Sequence, residues 1–499
     1  MITCSKTPLL NFVALMCLMM SLPLQGKHHG EKEFNLAGIF GDNMVLQQDT
    51  EVAIWGTAQA KDQITIKTSW GGKAIKTVAD EDGRWMDKIK TPKASNKSLK
   101  ITVKCGSESR ELKNILAGEV WICSGQSNMQ WKLRGFGVAE FKEDVDKANF
   151  PQIRFCTIPH VLALELQDDV KTQWMVCNPR SIMQFSAVGY FFGSRLHQEL
   201  DVPIGLVSTN WGGSAIEGWI NPEILEQELE GYKNLTKHYE KWKKESGVIY
   251  DRTTKKPKGL NQSSPGVLYN SMLKPLVPFG FRGVIWYQGE SNVKNPEEYK
   301  KLFSAMIKDW RKQWGIGDFP FYYVQIAPWA YKNVPISAAF LREAQLEVLS
   351  EPNTGMVVTM DVGDIGNIHP KRKKPVGERL ALLALARDYG KKGIVDSGPL
   401  YKGFKVEGGK IRLEFDYIGG GLVAKGGGEL THFTIAGRNK KFVPAKAVVD
   451  GDTIIVSSDG VNRPVAVRFA WGSGDEPNLS NKEGLPASSF RTDDWPPKK

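Results

Sequence analysis

Cysteine and histidine are scarce in this chain: six and seven among 499 residues. Cys4 and Cys17 fall in a distinct N-terminal segment, which leaves Cys105, Cys123, Cys156 and Cys177. Their spacings match no zinc site, so a zinc module is excluded. In an oxidising compartment four cysteines allow three disulfide pairings, and spacing does not choose among them. Apolar runs long enough to cross a bilayer are also lacking. Leu9 to Leu22 is interrupted by Asn11 and Ser21 and falls short of the ~20 residues a spanning helix needs. With Lys6 before it and a break at Pro23 to Gly26, it reads as a signal peptide over residues 1–26, which implies secretion or a periplasmic location. Ala14, where a lipobox would carry Leu ahead of Cys17, argues against lipidation.

Concentrated charge is lacking too. The formal net charge is +11, but the basic residues are scattered. The densest runs are short: Lys241 with Lys243 and Lys244, Lys371 to Lys374, and Lys498 with Lys499. Such runs read as solvated faces, and with no basic helix or aromatic platform a nucleic-acid partner is not expected.

What is present is a chain with 41% hydrophobic residues, enough for a substantial core and, at this length, for two to four domains. Residues 33–115 alternate apolar and polar, as in Val52-Ala53-Ile54-Trp55 and Gln63-Ile64-Thr65-Ile66. Turns at Gly41-Asp42-Asn43, Gly71-Gly72 and Glu81-Asp82-Gly83 punctuate them, which predicts a small β-sandwich. From 116 to 393 apolar strand-like runs alternate with amphipathic stretches. The strands are Val120–Cys123, Pro203–Ser208, Gly283–Tyr287, Phe321–Ile326 and Met356–Met360. The helices include Val188–Leu200 and Pro296–Trp314, the latter with Asn295 as its expected cap. This alternation predicts an α/β domain, a parallel sheet flanked by helices. A charged, helix-rich segment at 222–260 reads as an insertion, and 397–490 as a C-terminal β-rich domain with glycine-rich turns.

The chemistry concentrates where strands end. Gly125-Gln126-Ser127-Asn128-Met129 follows one strand and opens a helix. At such a corner a serine hydroxyl faces the crevice at the sheet's carboxyl edge, and the serine N–H is free to meet an oxyanion. The same residue also suits a helix cap in a tight turn. A serine nucleophile needs a base. Of the seven histidines, His28 and His29 adjoin the signal segment, His197 falls in a helix, His238 in the charged insertion and His432 in a C-terminal strand. His160, in a loop, stays open. His369, in an Ile-His-Pro turn after the fifth strand, belongs at the same sheet edge as Ser127. Two further polar corners end there: Thr209 to Ser214, with adjacent Gly212 and Gly213, and Gln288 to Asn292.

These motifs resemble the sialate O-acetylesterase family of the SGNH (GDSL-like) hydrolases. The resemblance runs from Asp42-Asn43-Met44-Val45-Leu46-Gln47 through Gly118–Met129, Trp211-Gly212-Gly213-Ser214 and Trp286–Asn292. It continues through Ile368-His369-Pro370 and Val376–Leu380 to Asn478–Ala487, nearly the whole mature chain. It implies an SGNH-hydrolase parallel sheet with β-sandwich (Ig-like) regions on either side, no metal and no cofactor, and a serine esterase acting on O-acetylated sugars, sialic acids above all. The chain's positive charge suits an anionic sugar. By that resemblance Ser127 is the nucleophile and His369 the base. The Ser127 N–H, an N–H from Gly212 or Gly213, and the Gln288 side chain form the oxyanion hole. Trp211, Trp219 and Trp286 flank these loops, either stacking on sugar or packing in the core, and Asn292 is a candidate wall of the substrate cleft. The superfamily often has Asp three residues before the histidine; Gly366 stands there instead. Asp364 is then the candidate acid, Asp361 the alternative, and a ring oriented by a backbone carbonyl, with no carboxylate at all, the third option. Acetylxylan is the alternative substrate, and a non-catalytic carbohydrate-binding protein the reading from another class.

Overall fold

A computed structural model of the protein describes residues 32–134, 140–251, 253–331 and 337–496. The expected signal peptide lies outside them. The molecule is organised around one long strand, β1, Glu108–Gly125. Its first half pairs antiparallel with Ser95–Cys105 in the N-terminal β-region. Its second half enters a parallel sheet built with β2 (Ile153–Thr157), β3 (Ile204–Asn210), β4 (Gly283–Tyr287), β5 (Phe321–Val324) and β6 (Thr354–Val357), in the order β2-β3-β1-β4-β5-β6. The short antiparallel strand Met175–Val176 edges β2. The strand β1 runs unbroken through residue 115, where the change in sequence character suggests a domain boundary.

The sheet is parallel because both of its faces are apolar and both are covered. In β4, Val284 and Trp286 belong to one core and Ile285 and Tyr287 to the other; β5 alternates in the same way. Alternation of this kind puts successive side chains on opposite faces. On one face lie helices Ala187–Leu200 and Lys373–Arg387, which approach closely at Gly377, where a Cβ would stand 2.6 Å from the Val188 carbonyl oxygen. On the other lies Pro296–Trp314, burying Tyr299, Phe303, Met306 and Trp310. Its first turn has Pro296, Glu297 and Glu298, which suit the positive end of the helix dipole. The expected Asn295 cap does not form: Asn295 stands at the cap position, but its side chain makes no cap hydrogen bond.

The N-terminal region stacks the sheet Asn35–Leu36, Glu51–Thr57 and Arg84–Lys90 over strands continuous with β1. The C-terminal region has two four-stranded sheets, one containing Leu400–Glu407 and the other Pro464–Phe469. The 222–260 segment forms helices Pro222–Glu228 and Leu235–Ser246 and returns through Ile249–Tyr250, which pairs with Leu162–Ala163. No helix among the described residues is long and apolar enough to cross a membrane. Cys105, Cys123, Cys156 and Cys177 are buried free thiols, so none of the three disulfide pairings forms. Cys123 on β1 and Cys156 on β2 are held apart by the intervening β3.

The C-terminal region docks through Arg342, which is fully buried. Its guanidinium donates to the carbonyls of Ala470 and Gly472 at 3.1 and 2.8 Å and to Ser489 Oγ at 3.0 Å. Burial lowers its pKa to about 10. Replacing Arg342 by Met leaves the Ala470 carbonyl without its donor and the Gly472 carbonyl with only the Asp475 N–H. A loss of about 3 kcal/mol in unfolding free energy is expected, read as a lower Tm by calorimetry. An unchanged Tm would show that this docking does not matter to stability.

Candidate active site

Three strands end level. The parallel register sets Gly125 of β1 opposite Asn210 of β3 and Tyr287 of β4. The chain reverses its winding about β1, and ligands of open α/β sheets sit at such a switch point, beyond the carboxyl ends. Gly125 is required there: its φ is +134°, and a Cβ would lie 2.2 Å from the Tyr287 carbonyl oxygen. The next residues open the short helix Ser127–Gln130. Ser127 is half-buried, and a Cβ built on Gly212 would meet the Ser127 Cβ at 3.3 Å. The nucleophile candidate and the glycine loop are therefore in contact.

His369 comes to the same place. Asn128 Nδ2 donates to the Ile368 carbonyl at 3.1 Å, and the Trp131 and His369 rings lie 5.5 Å apart. The residue after Ser127 thus touches the residue before His369. Asn367 Oδ1 accepts the His369 N–H at 2.9 Å and shapes the turn. The imidazole is half-buried; burial and, second, the Lys373 ammonium hold its pKa below the ordinary histidine value. A ring kept neutral can accept a proton.

The carboxylates expected beside it are elsewhere. Asp364 is exposed, and its Oδ1 accepts the Gly366 N–H at 3.0 Å in a local turn. Asp361 opposes Arg379 with both oxygens at 2.8 Å and Lys425 at 2.7 Å. Burial raises the Asp361 pKa, but these cations outweigh it and the net shift is downward. Among the described residues no carboxylate lies within ion-pair distance of the His369 ring. Nor does a backbone carbonyl among the described residues orient the ring, the third option from the sequence; the ring packs against Trp131 instead.

The oxyanion loops also differ from expectation. Gln288 is fully buried. Its amide donates to the Ser214 carbonyl at 3.2 Å and to Asn292 Oδ1 at 2.7 Å, and accepts from Tyr299 Oη at 2.8 Å. Both amide hydrogens are spent on protein, so Gln288 braces the glycine loop instead of offering a donor. Asn292 is in the same network: its Nδ2 donates to Glu217 at 2.9 Å and its Oδ1 accepts from the Ile216 N–H, so it is not a cleft wall. The Gly212 N–H is engaged by Gln130 Oε1 at 2.7 Å, a residue that sequence reasoning passed over. The Gly212 carbonyl accepts from Gln262 Nε2 at 3.3 Å and the Gly213 carbonyl from Ser263 Oγ at 2.8 Å. Because the peptide is trans, the Gly213 N–H points away from Gln262. The Ser127 and Gly213 N–H groups have no acceptor among the described residues and are free to donate. Trp219 and Trp286 are core residues, whereas Trp211 is partly exposed and stacks on His160 at 4.3 Å.

The carbohydrate esterase family of sialic acid-specific acetylesterases matches this chain over residues 117–386, more than half its length. The chain belongs to that family. The carbohydrate esterase is 29% identical to the sialate O-acetylesterase of Homo sapiens over 476 residues, 88% of this chain and 87% of that one. It is 30% identical to the Rattus norvegicus sialate O-acetylesterase over 418 residues, 74% of this chain and 76% of that one. Its fold is similar to a solved carbohydrate acetylesterase of Xanthomonas citri, with a TM-score of 0.81 and 35% identity, covering 92% of this chain and all of that one. The family sets the reaction as hydrolysis of sugar O-acetyl esters.

Because burial and Lys373 both disfavour the imidazolium, kcat/KM should rise with pH along an acid limb lying below about pH 6.5, the ordinary histidine value. A pH–rate profile with a small aryl acetate measures it. A limb at or above that value would contradict the electrostatics described.

Proposed function

We propose that this esterase removes O-acetyl groups from sialic acids through an acetyl-serine intermediate, with Ser127 as nucleophile and His369 as base. The observation that carries the reading is the meeting of Ser127 with Gly212 and of Asn128 with Ile368 at the switch point of the sheet. The relatives' activity toward sialate esters supports the substrate class. In the first step His369 takes the Ser127 proton while Oγ attacks the acetyl carbonyl. The N–H groups of Ser127 and Gly213 receive the charge that develops on oxygen. His369 returns the proton to the departing sugar hydroxyl. Water, deprotonated by the same ring, then releases acetate. Stabilisation of the imidazolium falls to packing and solvent, since no carboxylate among the described residues reaches the ring. Export rests on the signal-like residues 1–26.

Acetate release should be measured from O-acetylated sialic acid and, in parallel, from acetylated xylan, with wild type and Ser127→Ala. The expected result is release from the sialic acid ester, cut on the order of 10⁴-fold or more by the substitution. Serine-dependent release confined to xylan would overturn the substrate class. Undiminished release by the variant would overturn the mechanism.

A further inference from the structure

Beneath the nucleophile turn lie two buried charges that the reaction above does not use. Of the run Lys371–Lys374, expected to be a solvated face, Lys373 is instead 1% exposed. Its ammonium donates to Asn128 Oδ1 and lies over the faces of Trp131 and Tyr287, 5.5 and 5.7 Å from their centroids. On the other side of the same amide, Glu290, also buried, accepts from Asn128 Nδ2 at 2.6 Å. The Nδ2 group gives its second bond to the Ile368 carbonyl. An ammonium only donates, and a carboxylate or carbonyl only accepts, so the Asn128 amide has one orientation that satisfies all three. One side chain thus joins the residue after the nucleophile to the residue before the base.

Taking two ions out of water costs several kcal/mol each, and apolar residues of the same volume often fill such a space at no loss of stability. The pair therefore calls for an explanation beyond packing. The neighbouring charges are otherwise engaged. Lys374 pairs with Asp144 at 2.7 Å, and Arg372 donates to the Asp361 carbonyl. Asp361 is held by Arg379 and Lys425, and Asp364 turns to solvent. Tyr287 and Tyr331, next to Glu290, have pKa values raised by burial, so both stay neutral. Lys373 is thus the positive charge beside the imidazole, with Glu290 as its counter-charge across Asn128.

We propose that Lys373 is a positioning residue of this esterase: through Asn128 it holds the nucleophile turn against the His369 loop, and its charge keeps His369 unprotonated into mildly acidic pH. The proposal rests on the reading of Ser127 and His369 as the reacting pair. Burial lowers the Lys373 pKa to about 7, with Glu290 opposing, so the ammonium is charged in the range where His369 titrates.

The test is Lys373→Met in the full chain, which keeps all but the last atom of the side chain's length and removes the amine. With an aryl acetate, the acid limb of kcat/KM should move up by about one pH unit. The value of kcat should fall on the order of tenfold, with KM little changed. Lys373→Met/Glu290→Gln leaves no uncompensated buried charge, and it should show the same displaced limb if the single variant fails to fold. A folded variant with the wild-type acid limb and wild-type kcat overturns the proposal. Ser127→Ala assayed alongside separates the two readings: activity in that variant would indict the reacting pair itself, whereas its loss beside a wild-type-like Lys373→Met would remove only the role given to Lys373.

Discussion

The site depends on three parallel strands ending at one level. Once β1 pairs with β3 on one side and β4 on the other, the residues after Gly125, Asn210 and Tyr287 have nowhere to go but the same small crevice. The closeness comes at Gly125, where the backbone lies against the Tyr287 carbonyl and no side chain fits. The Ser127 turn, the Gly212–Gly213 loop and the Gln288–Asn292 turn follow directly from that register. Because β1 is also the strand that carries the N-terminal β-region, the position of the nucleophile is tied to two sheets at once.

Electrostatics then sets what those residues can do. Hydrolysis of an ester near neutral pH asks for an imidazole that is free to take a proton. Here the ring is kept neutral by burial first and by a nearby ammonium second, with no acidic partner among the described residues to raise its basicity. In the proposed reaction the imidazolium that forms is therefore less stabilised than in a triad with aspartate. The balance favours catalysis that persists toward acidic pH over the highest rate at alkaline pH. The buried Glu290 favours that ammonium across the Asn128 amide, opposing the pull of burial on Lys373.

Much of this was legible in the sequence, for definite reasons. Strands buried on both faces read as short apolar runs, and β4 and β5 were therefore visible with nearly their true limits. Ser127 and His369 could be singled out because residues of their chemistry are expected at strand ends, and few histidines compete; the structure brings both to one sheet edge. What failed was anything decided by side-chain direction. Gln288 and Asn292 stand in the right loop, but both turn inward to brace it. Asp364 and Asp361 stand near the histidine in sequence, yet a local turn takes one and Arg379 the other. Lys373 reads as one more surface lysine, because the helix period that turns it under the Trp131 ring begins only at that residue. Gln130 carries no sequence signal: its contact with the Gly212 N–H exists only once the two loops have met.

The central claim is that Ser127 is the reacting nucleophile and that His369 activates it. The most direct measurement is covalent labelling of the intact enzyme with an organophosphonate ester, located by peptide mass spectrometry and repeated in His369→Ala. The account predicts one modified residue, Ser127, with labelling slowed by orders of magnitude when the histidine is removed. Modification at another residue, or labelling of Ser127 at the same rate without His369, would contradict it.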